Sequence, residues 1–233
     1  MTVEFISDAE AVAFETMCSI EPSLAEEFST VIAFLADNPG VARVYRGGAS
    51  PGTVEYITHC ANKYANARQP RFPSKPATVP DPAVSVVLGA YFRIPSQDFE
   101  RVKHEHLLSM ASENLVGDLL ERYIASNLEE VGWVWCAGEF VTAIDFVKRS
   151  ASTSDEWMSL QVKNRDNSEN SSSAKIRAGT TIEKWFRTIS KTGSTRWDRF
   201  PTSAPHSMSE VGFLDFIDQY FRDREIEDTS EEG

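Results

Sequence analysis

The chain has 233 residues, of which 41% are hydrophobic and 25% charged, so its composition excludes a disordered or fibrous protein. It has no apolar run of roughly 18 residues and no basic, apolar leader, and we therefore expect a cytoplasmic protein with no membrane partner. Its three cysteines, Cys18, Cys60 and Cys136, lie far apart without metal-ligand spacing, which indicates reduced, structural thiols.

The net charge of −12 is distributed unevenly along the chain. Residues 1–40 hold eight acidic residues and no Lys or Arg, and residues 210–233 hold nine acidic residues against two Arg. Between these ends, residues 41–80 and residues 163–199 each carry a net charge of +5. Basic stretches between acidic ends favour a DNA-binding groove on a body that repels DNA elsewhere. On charge alone, two solvated basic loops are an alternative.

Helix signals dominate the first part of the chain. Capping residues and apolar spacing predict three helices there: Asp8 to Ser19, Ser23 to Ala36, and residues 53–66. Five prolines between residues 69 and 82 then interrupt the chain, as in a linker or a surface loop.

A second group of helices follows the prolines. Asp81 as the capping residue, with Pro82 at the first helical position, starts a helix whose apolar residues share one face. These apolar residues are Val84, Val87, Leu88 and Tyr91. Ser96 starts the next helix, and Ser112 caps a third that contains ENLVGDLLERYIASNLEE.

Beyond Gly132, which ends the last of these helices, the apolar period changes from helical to alternating. Three short segments rich in Val, Ile, Trp and Phe are predicted strands: WVWCAG, EFVTAIDFVK and EWMSLQVKN. A further helix is predicted for residues 180–190, and an amphipathic helix begins at Ser209. The fold class that follows is α/β (α+β), with a small mixed sheet flanked by helices and a helical N-terminal half.

The order of the predicted strands brings an acid and a lysine together. Asp145 lies in the second strand, and Gln161 and Lys163 lie in the third. Side chains two residues apart on a strand point the same way, so these three can converge while Val162 faces the core. A cation-binding acid beside a lysine that orients water is the minimum for metal-assisted phosphodiester hydrolysis. The alternatives are a salt-bridged acid at a strand end and an ordinary surface lysine.

These residues resemble the PD-(D/E)xK nucleases, which include most type II restriction endonucleases. The resemblance rests on Ile144-Asp145, on Gln161-Val162-Lys163, on the helix segment Gly117-Asp118-Leu119-Leu120-Glu121, and on Gly132-Trp133 before the first strand. Within that superfamily, ENLVGDLLERYIA and LQVKNRDNSENSSSAKIRAGTTIEKWFR are similar to the SinI-type restriction endonucleases, and the length of the chain also suits that family.

The resemblance implies a restriction-endonuclease-like fold and a Mg²⁺-dependent type II restriction endonuclease. Such an enzyme acts as a homodimer on double-stranded DNA, needs no nucleotide cofactor and leaves 5′-phosphates and 3′-hydroxyls. Asp145, Glu121 and the Gln161 carbonyl are then expected to hold Mg²⁺, with Lys163 positioning the attacking water. The narrower resemblance implies recognition of GG(A/T)CC. The alternatives are a repair or junction nuclease of the same superfamily and a DNA-binding module that has lost catalysis.

The sequence departs from the superfamily pattern at two positions. Ile144 replaces Pro, which leaves the acid in place, and Gln161 replaces Glu or Asp, which removes one negative charge. Another carboxylate is therefore expected to contribute more to metal affinity. Glu121 is the first candidate, although a helical wheel turns it away from the apolar face, and a solvated Glu is the alternative. Glu113 and Glu183 are the other candidates.

The polar segment RDNSENSSSAKIR directly follows the predicted catalytic strand. Arg, Asn and Ser side chains contact base edges in DNA complexes, which predicts base contacts by Arg165, Asn167, Asn170 and Arg177. The next basic residues are predicted to contact phosphates: Lys184, Arg187, Lys191, Arg196 and Arg199. A serine-rich loop without base contacts is the alternative.

One domain is predicted over residues 1–233. Residues 1–110 form its mainly helical N-terminal part, residues 111–200 hold the catalytic core and the DNA-recognition segment, and residues 201–233 form a C-terminal helix and tail.

Overall fold

The computed structural model describes residues 3–73, 81–150, 156–166, 182–201 and 208–231. Its α-helices are α1 (Ala9–Cys18), α2 (Ala25–Asp37), α3 (Val54–Arg68), α4 (Pro82–Ala90), α5 (Phe99–Leu128) and α6 (Glu210–Glu231). Its strands are β1 (Val134–Trp135), β2 (Phe146–Arg149), β3 (Trp157–Arg165) and β4 (Glu183–Thr188). Short 3₁₀ turns cover Pro22–Leu24, Pro39–Val41, Ser96–Asp98, Glu129–Val131 and Trp197–Arg199. In the described part of the chain, none of the helices has the length and apolar character needed to span a membrane.

Local capping explains where two of the helices begin. Thr53 precedes α3, and its hydroxyl accepts a hydrogen bond from the Tyr56 backbone N–H at 3.3 Å. Asp81 precedes α4, and its Oδ1 accepts a hydrogen bond from the Ala83 N–H at 2.8 Å, with Pro82 at the first helical position. The predicted start of α4 is therefore confirmed.

Two predicted helix starts are wrong. Ser23 donates its hydroxyl to Glu21, and a 3₁₀ turn over Pro22–Leu24 comes before α2. Ser112 lies inside α5, which continues through the predicted boundary, and its hydroxyl donates to the Leu108 carbonyl at 2.9 Å. A serine inside a helix can satisfy its hydroxyl on the preceding turn, so this residue type alone does not mark a helix start.

The four strands form one sheet in the order β1-β2-β3-β4. β1 and β2 pair antiparallel, as do β2 and β3, whereas β3 and β4 run parallel. β1 lies within its predicted segment, and β2 and β3 each extend one residue beyond theirs, to Arg149 and Arg165. The α+β class, the small mixed sheet and the helical N-terminal half are confirmed, but the helix predicted for residues 180–190 is wrong because this region contains β4.

β4 has the apolar spacing of a short helix but pairs as a strand. Ile182, Trp185, Phe186 and Ile189 occur at helical intervals. Pairing with β3 satisfies backbone N–H and C=O groups, and Trp185 is 3% exposed, with Val162 as its partner in the register. Short apolar runs fit both the helical and the strand period, so pairing with a distant strand decides the structure.

The described residues divide into two compact units. One comprises the chain up to Pro70 and from Leu120 onward, and it contains α1–α3, the sheet, α6 and the end of α5. Its largest fully buried side chains are mostly aromatic: Phe28, Phe34, Tyr56, Tyr64, Phe140, Phe146 and Phe213. Burial of one Phe side chain stabilises a fold by about 1.5–3 kcal/mol. This aromatic core supports the sheet that carries the predicted site.

The other unit, Arg71–Leu119, contains α4 and the first part of α5. α4 has no buried residue; its Val84 and Val87 are 42% and 51% exposed, and Tyr91, directly after it, is 77% exposed. The predicted apolar face of α4 is therefore exposed.

Candidate active site

Asp145 lies just before β2, and backbone hydrogen bonds hold it on both sides. Its N–H donates to the Leu160 carbonyl at 2.9 Å, and its own carbonyl accepts from the Cys136 N–H at 2.8 Å. The first bond reaches β3, and the second reaches the residue directly after β1. The Asp145 side chain therefore projects from a backbone that is fixed by two neighbouring strands.

Residues from neighbouring strand segments lie next to one another at Asp145. Asp145 and Gln161 each lie one residue beyond the Phe146–Leu160 pair of β2 and β3, and the β3–β4 register pairs Gln161 with Lys184. Cys136 lies one residue beyond the Trp135–Phe146 pair of β1 and β2, and its N–H bonds the Asp145 carbonyl. Opposite residues on neighbouring strands project from the same face of a sheet. We call Cys136, Asp145, Gln161 and Lys184 the site row. Lys163 lies on the same face, two residues after Gln161.

The Asp145 carboxyl combines burial with two favourable contacts. Its Oδ2 accepts a hydrogen bond from the Val162 backbone N–H at 2.6 Å. Burial raises the pKa of this carboxyl, while the Lys163 ammonium and the Val162 N–H act in the opposite direction. Lys163 is therefore close enough to interact with Asp145, and the structure brings the predicted acid and lysine together.

Gln161 has a buried side chain that lacks hydrogen bonds. It is 1% exposed, and within the described structure neither its Oε1 nor its Nε2 has a hydrogen-bond partner. An unsatisfied buried polar group costs about 1–3 kcal/mol. An amide oxygen is a suitable ligand for a hard cation, and Gln161 directly precedes Val162, whose N–H bonds the Asp145 carboxylate. The unbonded amide is thus a fitting partner for a cation beside the carboxylate.

Glu121 is turned into the protein, unlike the solvated glutamate that the helical wheel offered as an alternative. It is half-buried near the end of α5, and its Oε2 accepts a hydrogen bond from the Trp135 indole N–H at 2.9 Å. Burial raises the pKa of the Cys136 thiol, and the carboxylates of Asp145 and Glu121 raise it further. Both carboxylates therefore act on the same buried group in the site row.

The other two candidate carboxylates lie elsewhere. Glu183 is the first residue of β4 rather than part of a helix, it is exposed, and its register partner is Leu160. It therefore projects from the face opposite to that of Gln161. Glu113 is exposed on α5, more than two helical turns before Glu121.

These residues suit a magnesium ion. Mg²⁺ prefers oxygen ligands, keeps several of its waters and commonly uses one or two carboxylates. Asp145 and Glu121 would supply the carboxylates, and the Gln161 oxygen would supply a third donor. Among the described residues there is no group of three or more His, Cys, Asp or Glu side chains that could hold a metal.

The predicted DNA contacts fall in different environments. Arg165 is the exposed last residue of β3, and Lys184 is half-buried in the site row. The predicted contacts Asn167, Asn170 and Arg177 lie outside the described residues. Base and phosphate contacts by these residues therefore stay predictions.

Arg187 occupies an interior position. Its side chain is 12% exposed, its guanidinium donates to Asn164 Oδ1 at 3.0 Å and to the Glu210 carboxylate, and it lies 4.9 Å from the Phe213 ring centroid. A guanidinium held in this way does not favour the predicted phosphate contact.

Sequence reasoning missed Trp135. A buried Trp usually needs a partner for its indole N–H. A Trp in the predicted strand WVWCAG therefore indicated such a partner. The partner is Glu121 on α5, which sequence spacing does not reveal because the two residues belong to different elements.

Known proteins with similar sequences were found for most of the chain. The profile of the family described as SinI restriction endonuclease matches residues 9–223. The type II restriction enzyme SinI of Salmonella infantis is 45% identical over 227 residues, which cover 94% of this chain and 97% of that protein. The type II restriction enzyme Eco47I of Escherichia coli is 46% identical over 220 residues, which cover 93% of this chain and 95% of that protein.

Proposed function

We propose that this chain, which belongs to the SinI restriction endonuclease family and is a type II restriction endonuclease, cuts double-stranded DNA with Mg²⁺ held by Asp145, Gln161 and Glu121 and with Lys163 beside them. The observation that carries the proposal is the buried, unbonded Gln161 amide between Leu160 and Val162, whose backbone groups bond Asp145, together with the effect of Lys163 on the Asp145 carboxyl.

Each of these side chains has a distinct role in the proposed reaction. The Asp145 and Glu121 carboxylates and the Gln161 oxygen would hold Mg²⁺. When bound, the ion would polarise a phosphoryl oxygen and make an attacking water more acidic. Lys163 positions that water and stabilises the negative charge that develops on the phosphate. The Val162 N–H fixes the Asp145 carboxylate through its 2.6 Å hydrogen bond.

Lys184 is proposed to contact a phosphate close to the one that is cut. It is the register partner of Gln161, so both side chains project from the same face of the sheet. A cation at this point attracts the phosphate backbone and carries no sequence information. Arg187 is the weaker candidate, because its guanidinium is bonded to Glu210 and Asn164.

Base recognition is proposed for Arg165, Asn167, Asn170 and Arg177, in the stretch 163–199 with a net charge of +5. The proposed enzyme is a cytoplasmic homodimer that recognises GG(A/T)CC and leaves 5′-phosphates. Two-fold symmetry suits direct reading of the outer G·C pairs, with the central pair sensed through DNA shape.

Digestion of plasmid DNA tests the proposed activity. Purified protein is incubated with plasmids that carry zero, one or two GG(A/T)CC sites, with Mg²⁺ or with EDTA. We expect discrete fragments that match the sites, in Mg²⁺ alone. A smear on all plasmids contradicts site-specific cleavage and favours a repair nuclease. Binding without cutting favours a module that has lost catalysis, and equal cutting in EDTA contradicts the metal requirement.

A further inference from the structure

Trp135 is bonded to the proposed metal ligand that comes from a helix. It lies in β1 with 4% exposure, and its indole N–H is 2.9 Å from Glu121 Oε2. We propose that Trp135 is a positioning residue, which holds the Glu121 carboxylate in the orientation that binds Mg²⁺. This inference rests on the proposed role of Glu121 as a ligand. Hydrogen bonds to a ligand from outside the metal shell fix its orientation and tune metal affinity.

Arg68 holds one part of the Trp135 ring. Its guanidinium carbon lies 5.1 Å from a ring centroid of Trp135 and 4.9 Å from that of Tyr64. The same guanidinium donates to both carboxylate oxygens of Glu129, one of them at 3.0 Å, and to the Tyr64 hydroxyl. Arg68 is therefore fixed by a two-point ion pair, and its contact with the Trp135 ring is fixed with it.

Arg122 supplies a second guanidinium at the same ring. Its guanidinium carbon lies 5.3 Å from the Trp135 ring centroid. It donates to the backbone carbonyls of Ala67 and Gln69 at 2.7 Å and of Arg68 at 3.1 Å, where α3 ends. Cation–π contacts of this kind favour one position of the indole. The indole N–H is thus directed at Glu121 by groups from α3 and α5.

The orientation of Glu121 matters more in this enzyme because residue 161 is Gln. A neutral amide contributes an oxygen but no charge, so the negative charge at the site comes from Asp145 and Glu121. A Glu side chain loses considerable rotational freedom when it is held in one geometry. Holding Glu121 before the metal arrives reduces the loss of freedom that binding would otherwise require.

Replacement of the indole by a phenyl ring tests this role. Trp135→Phe keeps an aromatic ring for Arg68 and Arg122 but removes the N–H. We measure thermal stabilisation by Ca²⁺ with a GG(A/T)CC duplex, so that the readout does not depend on cleavage. The Ca²⁺ concentration for half-maximal stabilisation is expected to rise about 10- to 100-fold. The Mg²⁺ concentration for half-maximal cleavage is expected to rise as well, with a smaller change in the rate at saturating Mg²⁺.

Trp157 provides a chemically matched control. Its indole N–H also donates to a carboxylate at 2.9 Å, that of Asp37, and the Arg149 guanidinium lies 4.9 Å from its ring centroid. It lies four residues before Gln161 on β3, which is about 13 Å along the strand. Trp157→Phe therefore removes the same type of bond and is expected to leave the Ca²⁺ and Mg²⁺ requirements unchanged.

Glu121→Ala separates this inference from the proposal on which it rests. Alone it is expected to raise the Ca²⁺ requirement, and Trp135→Phe added to it is expected to cause little further change, because the indole acts through Glu121. If Glu121→Ala leaves the Ca²⁺ requirement unchanged, the ligand role of Glu121 fails and positioning by Trp135 fails with it. If Glu121→Ala raises the requirement but Trp135→Phe does not, or if the two effects multiply, only the positioning role is overturned.

Discussion

The two faces of the β3–β4 pair differ in how their buried polar groups are bonded. On one face, the Gln161 amide is 1% exposed and unbonded within the described structure. On the other, the Arg187 guanidinium donates to Asn164 and to Glu210, and the Trp197 indole donates to the same Glu210 carboxylate at 2.9 Å. Unbonded buried groups destabilise a fold, whereas bonded groups contribute to it. The contrast indicates that the first face keeps polar atoms for a ligand, while the second uses them for stability.

The largest effect is expected from the side chains that act on the phosphate. Lys163→Ala is expected to slow cleavage about 10²- to 10³-fold, since a donor to the developing charge is lost, and Asp145→Ala is expected to abolish cleavage. Both variants should stay folded. Both should also bind the cognate duplex, with Ca²⁺ and without it. Single-turnover cleavage and circular dichroism check this, with Lys148→Ala as the control because its ammonium bonds the Val131 carbonyl instead. A fully active Asp145→Ala enzyme would exclude this site.

Replacing Arg187 on the opposite face is expected to lower the stability without changing the Mg²⁺ requirement. Arg187→Ala leaves the Glu210 carboxylate without its guanidinium partner and should lower the free energy of unfolding by about 2–3 kcal/mol. Urea unfolding measures this loss, and the Mg²⁺ concentration for half-maximal cleavage should stay unchanged. Arg222→Ala is the control, because its pair with Asp218 is exposed at 68% and 62% and should contribute about 0–1 kcal/mol. A shifted Mg²⁺ requirement in Arg187→Ala would contradict the division between the two faces.

Replacing Gln161 is expected to raise the stability and to lower the rate of cleavage. Gln161→Met replaces an unbonded buried amide by an apolar side chain of similar length, so the free energy of unfolding in EDTA should rise by about 1 kcal/mol. Cleavage should fall, because an oxygen ligand is lost. Urea unfolding and single-turnover cleavage of the same preparation provide both values. Loss of stability in this variant would show that the amide is bonded in solution and is not kept for a ligand.

A smaller effect is expected in the pH dependence of stability without metal. Burial raises the pKa of Asp145 above its ordinary value of 3.8. At pH values between 3.8 and the raised pKa, the folded state therefore binds more protons than the unfolded state. The contribution of Asp145 to stability therefore falls as pH rises through that window. Asp145→Asn in EDTA should unfold at a higher temperature than the parent protein at neutral pH, with a smaller difference at pH values below 3.8. If Asp145→Asn raised the unfolding temperature equally at all pH values, burial of the Asp145 carboxylate would not be the cause.

The sheet part of the site was predictable because a strand has a period of two. Gln161 and Lys163 share a face in any strand, and Asp145 needed only a place beside the neighbouring strand to interact with Lys163. The helix predicted over β4 failed because the apolar residues around Trp185 fit both a helical and a strand period. The position of Lys184 beside Gln161 was therefore not predictable from residue spacing.

The helix part of the site was harder to predict. A wheel drawn for α5 assumes one buried face, but the end of this helix is buried on several sides: Leu120, Tyr123, Ile124, Ala125 and Leu128. Glu121 was therefore found by its resemblance to a family motif rather than by periodicity. Its bond to Trp135 depends on how α5 meets β1, which no local pattern in the sequence encodes.

The most direct test of the central claim, that Gln161 binds the catalytic metal beside Asp145, is a Mg²⁺ titration of single-turnover cleavage by the parent protein, Gln161→Met and Gln161→Glu. A carboxylate binds a hard cation better than an amide, so Gln161→Glu should reach half-maximal cleavage at lower Mg²⁺ and Gln161→Met at higher Mg²⁺. The maximal rate of Gln161→Glu need not rise, because tighter binding of the ground state does not lower the barrier. The same half-maximal Mg²⁺ concentration in all three proteins would contradict the claim.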